Sequence, residues 1–256
     1  MNRCSQARAV LSFRIAALKV DTLLSMTTVR GARARARIEI TAAIKDEART
    51  QLAAEGAAKL SLRAVARELG MVSSALYRYF PSRDDLLTAL IVDAYDAVGA
   101  TAEQAAAETA GQRPLDRWTA VCRAVRAWAV DHPHEYALIY GSPVPGYTAP
   151  EDTIGPASRV GLVLIETVRG AHAGEGVALP PLPEGLRPEA ARLAADLAPD
   201  LPPALAVMLV SAWSQLFGLV SFEVFGHFHN IVEDRDAFFA AAARRLGQEV
   251  GLLPRG

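Results

Sequence analysis

The stretch from Ser61 to Pro81 is punctuated so closely that it can hold only two short helices. Ser61 offers a side-chain oxygen to the orphan amides of a helix start, and Gly70 stops the segment it opens, 62–69. After Gly70-Met71-Val72 a second segment, 73–80, is ended by Pro81, which cannot continue a helix. Helices shorter than roughly 12–15 residues are marginal alone in water, so both must be held by their neighbours. Two short helices across a compact turn match the helix-turn-helix arrangement, whose second helix can enter a DNA major groove about 12 Å wide. On that second helix Leu76 and Phe80, four apart, are expected to point to a core, leaving Ser73, Ser74, Tyr77 and Arg78 outward and Tyr79 near the rim.

The flanking pattern is helical throughout. Ile40, Ile44, Ala48 and Leu52 recur every four residues over 36–55, and Gly56 follows as a stop. Ser82 precedes Arg83-Asp84-Asp85-Leu86-Leu87, which places a cap and two acids at the positive end of a long helix running to about Thr109. Further helices are expected at 115–130, 135–140, 154–172, 203–225 and 237–247. The segment 173–188 carries seven Gly and Pro and reads as a long surface loop. No run alternates with period two, so the fold class is all-α. No stretch reaches 18 consecutive apolar residues, Ser211, Gln215 and Glu223 interrupting the longest, so no membrane span is expected. Two cysteines, Cys4 and Cys122, make no disulfide framework and fit a reduced cytoplasm.

Charge is divided along the chain although the total is −1. Residues 1–83 hold 15 of the 27 Lys and Arg but 6 of the 28 Asp and Glu, a net of +9, and residues 84–256 carry −10. A basic module that meets a polyanion, followed by an acidic module with another task, is the organisation this implies. Residues 1–25 contribute +3 of the basic excess. They lack the continuous apolar core and small-residue cleavage site of a secretory signal, although their Arg-rich composition also fits a transit peptide. Met26, followed by Thr27 and Thr28, offers an alternative start. The expected organisation is an extension over 1–30, a helix-turn-helix domain over 31–82 and an effector-binding and dimerisation domain over 83–256.

The run Ser61-Leu62-Arg63-Ala64-Val65-Ala66-Arg67-Glu68-Leu69-Gly70, followed by Ala75-Leu76-Tyr77-Arg78-Tyr79-Phe80-Pro81-Ser82-Arg83-Asp84-Asp85-Leu86-Leu87, resembles the TetR family of bacterial transcriptional repressors. The resemblance covers residues 36–90. Val72 departs from it, standing where the family usually has Ser or Thr as the cap of the recognition helix, and the resemblance leaves that role to Ser73 or Ser74. It further implies that Ser61, Arg63 and Thr41 position the protein on the DNA backbone, and that Ser73, Ser74, Ala75 and Tyr77 lie in the groove. Arg78 and Tyr79 would contact bases or phosphates, and Arg83 a phosphate. The basic run Arg30, Arg33, Arg35, Arg37 would track phosphates or enter a minor groove. A packing role for the two tyrosines and a merely solvated basic run are the structural alternatives.

In the C-terminal part, Trp128, His132-Pro133-His134-Glu135-Tyr136 and Tyr140, with Trp213 and 217–223, resemble the TetR subgroup with a WHG-type C-terminal domain, from which Phe217 departs. The implied partners are double-stranded operator DNA, a second copy of the chain through the last two helices, and a small-molecule effector of unknown identity. Trp118, Trp128, Tyr136, Tyr140, Met208 and Phe217 are the candidate pocket wall, with Gln215 or Glu223 to orient a ligand. An ordinary aromatic core explains each of these residues equally well. His132, His134 and Glu135, or His227 and His229, do not have metal-ligand spacing, and no catalytic motif is present, so no metal, cofactor or enzymatic activity is expected. The implied function is a ligand-responsive repressor; the alternative is a helical ligand-binding or interaction protein whose basic end is only a solvated surface.

Overall fold

Helix α1 occupies 31–55, and its predicted stripe is the buried one: Ile44, Ala48 and Leu52 are almost fully covered, with Ile40 half-buried. The protein, described here by a computed structural model over residues 31–174 and 176–253, divides into two units. The first contains the described residues up to Thr50 together with Ser61–Pro81; the second contains Gln51–Leu60 and the described residues from Ser82 onward. The predicted extension, including Arg30, lies outside the described residues.

In the first unit α2, Leu62–Glu68, begins where Ser61 accepts from the Ala64 amide at 3.4 Å. It ends in a left-handed turn: Gly70 has φ 65°, its N–H donates to the Arg67 carbonyl, and the Met71 N–H donates to the Ala66 carbonyl. A side chain with a Cβ is strained at that angle, which is why the turn carries glycine. Helix α3 is shorter than the sequence suggests, Ser73–Leu76, with hydrogen-bonded turns completing the segment to Phe80. Pro81 bounds the whole segment, since the residue before a proline is sterically pushed out of the helical region. Val72 occupies the cap with no side-chain cap hydrogen bond, so neither Ser73 nor Ser74 takes over that role. Leu76 and Phe80 are buried, as their spacing predicts.

The second unit comprises α4 (Arg83–Glu108), α5 (Pro114–Asp131), α6 (Pro133–Tyr140), α7 (Ile154–Ala173), α8 (Arg187–Leu197), α9 (Pro203–Val224) and α10 (Arg235–Val250). Ser82 caps α4 by accepting from the Asp85 amide at 3.1 Å. Helix α8 is absent from the sequence reading, which assigns its start to a loop on the strength of Pro188. That proline sits in the first turn of α8, where a missing amide costs no helical hydrogen bond. No strand forms among the described residues; a single bridge joins Val177 to Leu252. Helix α4 packs on α5 and α7, α5 on α10, and α9 on α8 and α10.

Helix α9 meets the length and composition of a membrane span, with a mean hydropathy of 1.8 in its most apolar window, although the sequence reading gave it none. Here it is a core helix, with Leu205, Leu209, Ala212, Leu216, Phe217 and Val220 buried. Its one acid, Glu223, takes two hydrogen bonds of 2.6 Å from Arg126 of α5. Arg126 also donates to Asp236 of α10 at 2.6 Å and lies 5.2 Å from the centre of the Phe239 ring. The Glu223 side chain is only 7% exposed and that of Arg126 15%, so this pair is desolvated and joins three helices. Trp118 adds a second link between α5 and α10 by donating its indole N–H to the Ala243 carbonyl at 3.0 Å.

Removing one member of such a pair strands the other charge. Glu223→Ala is expected to lower unfolding stability by about 3 kcal/mol, the scale for a broken buried ion pair. Chemical denaturation measures it; a loss below about 1 kcal/mol would mean the pair behaves like a surface one.

Candidate nucleic-acid interface

The described residues of the first unit contain eight Lys and Arg against four Asp and Glu, so the basic excess persists without the extension. Its outward side chains cluster on α2, α3 and the turn that follows. Arg63, Ser74, Tyr77 and Arg78 are exposed, with Tyr77 at 42%, while Ser61, Ser73, Ala75 and Tyr79 are half-buried. Short hydroxyls, a phenol and guanidinium groups around a one-turn helix can donate to phosphate oxygens and reach base edges.

Far apart in sequence, Arg37 and Tyr79 meet in the fold: the guanidinium carbon lies 5.3 Å from the ring centre. A cation–π contact of this exposed kind contributes about 0.5–1 kcal/mol and brings the end of the basic run to the recognition segment. Thr41 donates its hydroxyl to the Arg37 carbonyl at 2.8 Å, which leaves that oxygen able to accept but its proton committed. Periodicity could not reveal the Arg37 and Tyr79 pairing, because it depends on how α1 crosses the turn after α3.

The structure directs Arg83 elsewhere than the outward face. Its guanidinium donates to the carbonyls of Leu60 at 3.2 Å, Ala57 at 2.8 Å and Ala58 at 3.3 Å. These oxygens belong to the short 3-10 segment Ala57–Lys59 and the residue after it, so Arg83 ties the start of α4 to the connection between α1 and α2.

The candidate effector residues of the second unit are distributed between packing and surface roles. Tyr136 is fully buried, donates to the Phe217 carbonyl at 3.1 Å and shares a hydrogen bond of 2.8 Å with Ser221; burial pushes its phenol up to about 12. Tyr140 stacks on Phe217 with ring centres 4.1 Å apart. Trp128 stacks on His132 at 5.3 Å. Trp118 and Glu223 are engaged as described above, and Met208 packs partly buried against the core. Gln215 faces outward, bonded to Ser211. The structure thus brings Tyr136, Tyr140 and Phe217 together as packed rings, and its grooves lie beside them. Tyr95 of α4 and Tyr147 of the segment after α6 line one such groove and were missed in sequence, since neither belongs to an aromatic run. Cys122 is fully buried, and that burial pushes its thiol well above the ordinary range.

Sequence models of two families match the chain: bacterial regulatory proteins of the tetR family over residues 44–90, and the tetracycline-repressor-like C-terminal domain over residues 118–246. The HTH-type transcriptional regulator Rv1816 of Mycobacterium tuberculosis is 40% identical over 220 residues, covering 84% of this chain and 94% of the relative. The regulator Mb1846 of Mycobacterium bovis matches to the same extent, 40% over 220 residues. Among solved structures, regulatory protein SCO4313 superposes with a TM-score of 0.68 at 35% identity, covering 83% of this chain and 97% of that one. A Rhodococcus protein of unknown function, at 20% identity and TM-score 0.62, covers 81% of this chain and 93% of its own and shares the fold.

Because the Arg83 guanidinium is spent on carbonyls, Arg83→Ala is expected to lower unfolding stability by about 1–3 kcal/mol, the range for hydrogen bonds to a charged group. The salt dependence of DNA binding should stay the same. A salt slope reduced by about one unit with unchanged stability would instead assign Arg83 to a phosphate.

Proposed function

The chain belongs to the TetR family of bacterial transcriptional regulators, and from that premise we propose that it is a homodimeric repressor released from a palindromic operator by a small molecule. The observation that carries the reading is the cationic outward face around α3, where Arg37, Arg63, Tyr77 and Arg78 surround a one-turn helix anchored by buried Leu76. Arg37, Ser61, Arg63 and Arg78 hold phosphates, supported by Thr41. Ser73, Ser74, Ala75 and Tyr77 face base edges, with Tyr79 at the rim. Phosphate contacts supply affinity and register, and base contacts supply choice.

The dimer forms through α9 and α10. Gly218, Leu219 and Phe222 of α9 and Phe238, Ala241 and Arg245 of α10 line a groove of about 620 Å³. Phe222 is 53% exposed and Phe238 42%, apolar area of a kind that a second copy would cover. A two-fold dimer presents two readers to half-sites one helical turn apart, about 34–36 Å, which is why the operator is palindromic. The effector acts through the second unit, and a ligand that prefers one spacing of the readers over another changes DNA affinity by about 5–150-fold. Such a protein works beside the chromosome, in the cytoplasm, and the relatives it matches are named transcriptional regulators.

The test is a binding titration on the DNA upstream of its own gene at several salt concentrations. Arg78→Ala is expected to weaken binding to all sequences alike and to reduce the salt slope by about one. Tyr77→Ala should change the preferred sequence, at about 1–3 kcal/mol per lost base contact. Wild-type protein that shows neither salt-dependent nor sequence-dependent binding would instead leave a helical ligand-binding protein with a solvated basic end.

A further inference from the structure

Two grooves of the second unit adjoin on α7. One, of about 580 Å³, lies among α4, α6 and the segment after α6, with Tyr95 and Tyr147 in its wall. The other, of about 440 Å³, lies among α7, α8 and α9 and is walled by Leu162, Leu197 and Trp213. Ala157 and Ser158 belong to both walls, so only small side chains stand where the two meet. Each volume falls in the range of small-molecule sites, about 300–1,000 Å³.

Aromatic rings link the two grooves. Tyr95 meets Tyr140 at 6.0 Å, Tyr140 stacks on Phe217 at 4.1 Å, and Phe217 meets Trp213 edge-on at 5.6 Å. Polar groups are concentrated at the tyrosine end. Tyr147 shares a hydrogen bond of 2.9 Å with Thr88, and Tyr95 reaches the Ile139 carbonyl only at 3.4 Å. Burial raises the pKa of Tyr95, so its phenol keeps a proton to donate. At the other end Leu162 is 50% exposed, Leu197 45% and Trp213 40%, leaving apolar surface uncovered.

Ionic groups are missing from this path. Among the described residues the first groove is lined by no acid, base or histidine, and the second only by Asp196, whose carboxylate is paired with Arg192 at 3.0 Å. A ligand charge brought here would lose water and gain no counter-ion, a cost that excludes it.

We propose that the two grooves together take one uncharged, elongated molecule, whose carbonyl or hydroxyl oxygen accepts a phenol hydrogen bond from Tyr95. Its alkyl chain passes Ala157 to lie against Leu162, Leu197 and Trp213. This rests on the ligand-responsive reading above and names the chemical class of the effector.

The experiment titrates 2-decanone, decanoate and decyltrimethylammonium, which carry chains of similar length, into the full-length wild-type protein. Tryptophan fluorescence and calorimetry follow binding. Saturable binding of 2-decanone is expected, with both ions at least about 10-fold weaker because their charge is unpaired in the wall. Tyr95→Phe should weaken 2-decanone about fivefold, the equivalent of one hydrogen bond. Ala157→Trp should abolish its binding by filling the junction. Leu162→Arg, a change at a half-exposed position that folding tolerates, should weaken it at least about 10-fold by placing a charge against the chain. Equal affinity for all three probes, no saturable binding of 2-decanone, or binding unchanged in both Ala157→Trp and Leu162→Arg would overturn the proposal. Operator release is measured separately: 2-decanone that binds as expected without releasing DNA upholds the site and removes only the repressor-release reading.

Discussion

The burial of Leu76 and Phe80 is the constraint on which the outward cationic surface around α3 depends. A helix of one turn has no stability of its own, because nucleation fixes several dihedral angles before intrahelical hydrogen bonds reward it. These two side chains, together with Ile44, Ala48, Leu62, Val65 and Ala66, supply the covered apolar area of the first unit. Anchoring at every fourth position turns Ser74, Tyr77 and Arg78 outward, so the packing that stabilises the segment also aims its chemistry. The left-handed turn at Gly70 completes the arrangement by satisfying the last carbonyls of α2 while redirecting the chain.

A different balance governs the second unit. Helix α9 is apolar on most of its surface, and a helix of that kind must be covered on more than one side. Its neighbours bury Leu205, Leu209, Leu216 and Val220, while Phe222 remains open beside α10. Arg126 joins α5, α9 and α10 through Glu223 and Asp236, a polar link of specified geometry within apolar packing that could otherwise slide. The open apolar groove and the ionic link therefore belong to the same pair of helices.

The grooves beside α7 obey a third rule, the cost of burying charge. Arg159 of α7 lies next to Ser158, yet its guanidinium is taken up by Asp96 and Glu103 of α4, at 2.7 Å in each case. Arg159 is spent on a helix-to-helix link and Arg192 on carboxylates of its own helix, and apart from Asp196 what faces the grooves is hydroxyl, aromatic, small and aliphatic. The acidic unit thus carries grooves with a single charged residue in their walls, Asp196, and the basic unit an outward cationic face.

Sequence alone determined those features that depend on local rules: the all-α class, the two short helices about Gly70, the cap at Ser82, and the family resemblance carried by 61–87. Spacing, glycine and proline act within a few residues, so they can be read without knowing the fold. Local rules also misled where context overrode them. Pro188 reads as loop from its neighbours in sequence, yet it sits in the first turn of α8, and the segment before Pro81 holds a helix of only one turn. Only the tertiary structure decided which side chains spend their polar groups on neighbours. Arg83 is held by carbonyls of the 57–60 connection, Glu223 by Arg126, and Arg37 lies over Tyr79. It likewise packed Tyr136, Tyr140 and Phe217 against one another and opened grooves at Tyr95, Tyr147 and Trp213 instead. The physical reason is that a cavity or an ion pair is a property of surfaces brought together from distant parts of the chain, and helical periodicity specifies which face is buried without specifying what it meets.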